Sequence, residues 1–217
     1  MAKRTTAQKI CCVGFQKTGT TSLSSALMRL GYSVGQSWRE VNAALDPHSE
    51  DAREVVAKTT IDILRDLDAI QDSPCAFLFE EFDREFPGSK FILTYRPVED
   101  WLASYDRFFE EANNPLRTWM YGVETFVGNE DTYRKIYLEQ NEKIRTYFAD
   151  RPEDFLELDL SKGDGWYELV NFLGPDFLPG FPRENAGRTQ KLAHQPFFVR
   201  LRRRLKNWVK RALGRTP

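Results

Sequence analysis

Residues 9–23 constrain the chain more than any other stretch. A short apolar run, Ile10-Cys11-Cys12-Val13, breaks into a loop bracketed by Gly14 and Gly19 and passes at once into helical periodicity. Leu23, Ala26, Leu27 and Leu30 recur at i, i+3, i+4 and i+7, and Gly31 stands where a left-handed C-cap would close the helix. Strand, glycine loop and helix in that order deliver backbone N–H groups to a helix N-terminus. Unpaired donors and the positive end of the helix dipole make such a terminus an anion site, most naturally for phosphate. Gly14 and Gly19 have the spacing of a nucleotide-triphosphate loop, but Thr20 stands where that motif needs lysine. Lys17 lies inside the loop instead, with Thr18, Thr20, Thr21 and Ser22 adding hydroxyls around the anion position.

Further along, residues 90–96 form an apolar run ending in Arg96, as expected for a strand buried on both faces of a parallel sheet. Pro97 opens a helix with Glu99 and Asp100 near its positive end, and Ser104 follows Arg96 by about two helical turns. An arginine at a strand's carboxyl end and a serine on the next helix are suited to a second phosphate. Additional helices are expected over 49–69, 75–86, 129–148 and 166–173, and a further strand over 155–160. Residues 31–47, with Gly35 and Trp38, read as a loop or short irregular strand and 108–128 as a loop, both able to shape a pocket. Alternating strands and helices predict an α/β fold with a central parallel sheet flanked by helices in three layers and right-handed crossovers.

The loop Gln16-Lys17-Thr18-Gly19-Thr20-Thr21-Ser22-Leu23 resembles the 5′-phosphosulfate loop of the sulfotransferase family, and Arg96-Pro97 with Trp101 and Ser104 is similar to its 3′-phosphate motif. Similarity to bacterial members extends from about residue 9 to residue 185, through Phe86-Pro87-Gly88, Gly163-Asp164-Gly165-Trp166 and Phe172-Leu173-Gly174. The resemblance implies a sulfotransferase-like P-loop fold and transfer of a sulfuryl group from 3′-phosphoadenosine-5′-phosphosulfate to a hydroxyl or amine, without a metal. By the same resemblance Lys17 contacts the oxygen bridging sulfate and phosphate; Gln16, Lys17, Thr18, Gly19, Thr20, Thr21 and Ser22 hold the 5′-phosphosulfate; Arg96 and Ser104 hold the 3′-phosphate. Asp72, in Asp72-Ser73-Pro74 between two expected helices, matches an acidic position of this branch and is the candidate general base. His48 and His194 are the alternatives. Two other functions fit the loop: a P-loop nucleotide kinase, with Asp159 in the metal-binding role, and a non-catalytic P-loop-fold binding protein.

The three cysteines have neither disulfide nor metal-ligand spacing, and no run is long enough to span a bilayer, so a cytoplasmic protein is expected. Residues 1–195 are expected to form the catalytic domain and 196–217 a basic amphipathic helix. That tail carries eight basic residues and no acid, leaving 23 basic against 32 acidic residues elsewhere. Docking on the domain and peripheral contact with an anionic membrane both suit such a helix. The acceptor, a lipid, sugar or other small molecule rather than nucleic acid, is left open.

Overall fold

The computed structural model describes residues 8–107, 114–162 and 165–177. All lie in the first of two compact units, Met1–Pro179; the second, Gly180–Pro217, with the expected helix from 196, His194 and the segment 181–185, falls outside them.

Five short parallel strands form one sheet: β1 (Ile10–Cys12), β2 (Val34–Gly35), β3 (Ala69–Ile70), β4 (Lys90–Thr94) and β5 (Phe155–Leu158), in spatial order β2-β3-β1-β4-β5. Helices flank it: α1 (Thr20–Arg29), α2 (Trp38–Ala44), α3 (Ala52–Arg65), α4 (Phe79–Glu85), α5 (Val98–Asp106), α6 (Pro115–Tyr121), α7 (Glu130–Tyr147) and α8 (Trp166–Phe177). Single 3₁₀ turns precede α4, at Cys75–Phe77, and α8, at Leu160–Lys162. Gly174, with φ 63°, interrupts α8 where the sequence predicts its end.

Alternation along β1 explains the layers. Ile10 and Cys12 face one side, packing with Leu23 and Leu27 of α1 and Leu169 and Leu173 of α8. Cys11 and Val13 face the other, in a larger cluster with Val56 of α3, Phe82 of α4, Trp101 of α5 and Tyr137 of α7. The cysteines Cys11, Cys12 and Cys75 are unpaired and buried, and serve as small core residues. Gly31 closes α1 in a Schellman motif: its N–H reaches Met28 O at 3.0 Å and that of Tyr32 reaches Leu27 O at 3.1 Å.

Three sequence expectations are corrected. Residues 49–69 are not one helix: α3 ends at Arg65, and Ala69–Ile70 is a strand paired in parallel with both β1 and β2. A two-residue strand is too short to show alternation, and only its neighbours define it. Asp72 therefore follows a strand end rather than lying between helices. Residues 31–47 hold a short strand, β2, one of the two forms expected of them, but also the helix α2, and 108–128 contain the helix α6. Asn114 caps α6, accepting from Arg117 N at 3.1 Å, with Pro115 in the first turn. Asn-Pro here starts a helix within a stretch expected to be loop.

Gly14 sets how closely the phosphate loop approaches β4. A Cβ there would lie 2.0 Å from Thr94 Oγ1 and 2.7 Å from Thr94 O. Gly14→Ala must push the loop off the strand, and we expect a loss of about 3 kcal/mol, at the upper end of overpacking effects. For a chain of this size that lowers the melting temperature by about 10 °C. An unchanged melting temperature would mean that the loop does not rest on β4.

Candidate active site

The chain leaves β1, reaches the β2 edge, returns through β3 and then crosses to β4 on the other side of β1. The crevice at the carboxyl ends of β3, β1 and β4 is thus a topological switch point, the place where open α/β sheets bind ligands. Each of the three strands ends in a candidate residue: β1 in the loop carrying Lys17, β3 in Asp72, β4 in Arg96. Ser104 joins them from α5. All four line one cavity of about 500 Å³, together with Gly19, Thr20 and Thr21.

Lys17 (φ 69°) and Asp72 (φ 71°) are the non-glycine residues with left-handed backbone among those described. Such conformations cost on the order of 1–3 kcal/mol each and persist where surrounding contacts impose them. Here the contacts are visible. Gln16 is buried and its amide is committed on both sides: Nε2 donates to Tyr121 Oη at 3.0 Å and Tyr105 Oη at 3.3 Å, while Oε1 accepts from Ser73 Oγ at 2.8 Å. Trp101 Nε1 donates to Gln16 O at 2.9 Å. Gln16 thereby ties the lysine loop to the turn bearing Asp72. Thr18, also buried, turns its hydroxyl inward to Phe15 O (2.5 Å) and Thr94 Oγ1 (2.6 Å). Both side chains brace the loop. Thr20 and Thr21 open α1, whose first turn holds no acid and whose N-cap makes no side-chain hydrogen bond, so the positive end of the helix dipole is not neutralised there, although the Ser22 N–H donates to Gly19 O at 3.0 Å. Gly19, the N-cap, takes a left-handed φ of 107°.

Burial and the nearby Arg96 guanidinium lower the Lys17 pKa, against the opposing pull of Asp72. Burial raises the Asp72 pKa, partly offset by a hydrogen bond from Ser73 N (2.8 Å), the Lys17 charge and the Thr20 hydroxyl. Arg96 is held through its main chain, where Tyr137 Oη donates to its carbonyl at 2.7 Å, and its Nη1 donates to Lys17 O at 3.4 Å. Its Nε is buried with no hydrogen-bond partner. An unsatisfied charged donor is costly, at least about 1–3 kcal/mol, and an anion in the cavity would relieve it.

Trp38 and Asn42 of α2 and Leu116, Arg117 and Met120 of α6 also line the cavity; they fall in the two stretches, 31–47 and 108–128, expected to shape a pocket, although apart from Trp38 none stands out there as an individual residue. Asn42 holds the two helices together, donating to Trp38 O at 2.8 Å and accepting from Leu116 N at 2.9 Å. The Asn114-Pro115 cap was the signal that could have found α6. Ser22 is exposed and is not among the residues lining the cavity, and His48 lies in a separate depression with Pro115, Thr118 and Glu124.

A glycine loop feeding a helix N-terminus at the switch point of a parallel sheet, with a lysine and an arginine converging on it, defines an α/β domain of the P-loop type. Its family follows from sequence comparison: the profile described as a sulfotransferase domain matches residues 9–129 and 116–190. The chain belongs to this sulfotransferase family. No curated protein sequence matches it significantly. Among solved structures it is similar to a shikimate kinase from Acinetobacter baumannii in complex with shikimate, at 16% identity and a TM-score of 0.36, over 66% of this chain and 94% of that one. No helix among the described residues is long and apolar enough to cross a membrane.

Proposed function

We propose that the protein transfers a sulfuryl group from 3′-phosphoadenosine-5′-phosphosulfate to a hydroxyl or amine acceptor. The observation that carries this reading is the convergence of Lys17, Asp72 and Arg96 from the ends of three adjacent parallel strands, with Ser104, on one cavity. When bound, the donor supplies an activated sulfuryl group on a phosphate leaving group. Lys17 and the amides at the start of α1 stabilise the negative charge that grows on the oxygen between sulfur and phosphorus as that bond breaks. Asp72 takes the acceptor's proton while the acceptor oxygen or nitrogen forms its bond to sulfur. The bisphosphate leaves with the electron pair of the broken bond. Arg96, through its unsatisfied Nε, and Ser104 hold the 3′-phosphate.

The kinase reading is weaker on two counts. Thr20 replaces the motif lysine, and Asp159, the candidate metal-binding acid, is paired with Lys162 at 3.0 Å. A non-catalytic binding protein would have no use for a desolvated carboxyl beside the anion site.

Calorimetry with 3′-phosphoadenosine-5′-phosphate and with the analogue lacking the 3′-phosphate tests the donor assignment. Arg96→Ala and Ser104→Ala are expected to weaken the first ligand selectively, Arg96→Ala by about tenfold or more, because a charge-assisted contact is lost only where the anion exists. Equal losses for both ligands would show that the pair does not read the 3′-phosphate. In parallel, the bisphosphate should raise the melting temperature without magnesium. Stabilisation by ATP and magnesium alone would favour the kinase.

A further inference from the structure

A second cavity, of about 530 Å³, adjoins the first between α1 and α2 and shares Thr21 and Trp38 with it. From the observations below we propose that this cavity is the acceptor's outer subsite, and that it takes the second ring of a neutral oligosaccharide whose first ring presents its hydroxyl to Asp72. The proposal rests on the sulfotransferase reading given above and adds the acceptor class to it.

Contrast in charge between the cavities separates donor from acceptor. Lys17, Arg96 and Arg117 against Asp72 make the first cavity cationic, matched to an anionic donor. Arg39 and Glu40 balance in the second, whose other polar groups are neutral: the hydroxyls of Ser24 and Ser25 and the amides of Gln36 and Gln71. Gln71 is 3% exposed, and its Oε1 is buried with no hydrogen-bond partner. A ligand hydroxyl is a donor of the kind that oxygen lacks.

Gln36 and Trp38 connect the two cavities. Gln36 Nε2 donates to Asp72 Oδ2 at 3.4 Å, and its Oε1 accepts from Trp38 Nε1 at 3.3 Å. The carboxyl that would take the proton is therefore one side chain away from the outer subsite. Trp38 is 38% exposed and lines both cavities. The Arg39 guanidinium lies 5.0 Å from its ring centre, in keeping with the negative potential of the π face. The weakly positive C–H groups of a sugar ring suit the same face. Met28, Val34 and Trp38 alternate there with hydroxyls and amides, a mixed lining that suits the mixed surface of a sugar better than a lipid chain, and a second anion would find no net positive charge.

The test uses the full chain, ³⁵S-labelled donor and three acceptor panels at equal concentration: neutral gluco-, galacto- and manno-oligosaccharides of one to four units, naphthols with fatty alcohols, and neutral peptides. A disaccharide or longer sugar is expected to exceed its own monosaccharide at least tenfold in kcat/KM. Gln71→Leu should erase that advantage with the bisphosphate Kd unchanged. Ser25→Tyr, which fills the cavity from a partly exposed helix position, should do the same if Gln71→Leu fails to fold. Preference for naphthols, fatty alcohols or peptides, or no gain from a second sugar ring, would overturn the proposal while leaving the donor reading intact. Failure of the wild-type chain to bind the bisphosphate would instead sink the donor reading, and the subsite with it.

Discussion

Lys17→Ala is expected to lower turnover by about a hundredfold or more with the fold retained, because it removes a cation aimed at charge that develops in the transition state. The structure makes this substitution clean. Position 17 is only partly buried and its backbone is held by its neighbours. Gln16 is clamped by Tyr105, Tyr121 and Ser73, and Thr18 by Phe15 and Thr94. Alanine in the left-handed conformation is no more strained than lysine, so the melting temperature should change little. Turnover within a few-fold of wild type, with any accepted substrate, would remove Lys17 from the mechanism.

The second large effect is expected at Asp72. Asparagine keeps the shape of the side chain and tolerates a left-handed backbone, but cannot take a proton. Asp72→Asn should lower the single-turnover rate by about 10²–10⁴, the usual share of a general base, with donor affinity nearly unchanged. The pH profile of kcat/KM carries an independent signature. Asp72 must be ionised and its pKa is raised by burial, so activity should climb with pH through a limb above the ordinary aspartate range. Lys17 must be protonated and its pKa is lowered by burial and Arg96, so activity should fall again below the ordinary lysine range. Both limbs are drawn inward, and the acid limb should vanish in Asp72→Asn. An acid limb that persists in the variant, or equal single-turnover rates, would point to another base, with His48→Ala and His194→Ala as the next substitutions.

Local chemistry made the phosphate loop, β4 and the Arg96–Ser104 pair legible from sequence. Gly14, Gly19 and Gly31 mark backbone that needs close approach or positive φ; the run 90–96 is continuous enough to read as a strand; Arg96 and Ser104 are two turns apart on one strand–helix unit. Helices α1 and α5 announce themselves by their apolar faces over two turns or more, and α7 by its length and polarity. By contrast, β2 and β3 have two residues each and α2 and α6 seven, too few for any period to rise above chance. Gln16 was legible as a loop residue, but its part in tying that loop to Ser73, 57 positions away, was not.

The residues alone were therefore enough to place the glycine loop at the head of α1 and to put Arg96 and Ser104 on one strand–helix unit, since each lies within a single strand–loop–helix unit. That Asp72 ends a strand beside β1, and that Trp38, Gln36 and Gln71 line a second cavity next to it, emerges from the folded chain alone. Those relations depend on parallel pairing between strands far apart in the chain. No neighbouring residue records such pairing, and the carboxyl edge of the sheet exists only once β3, β1 and β4 lie side by side.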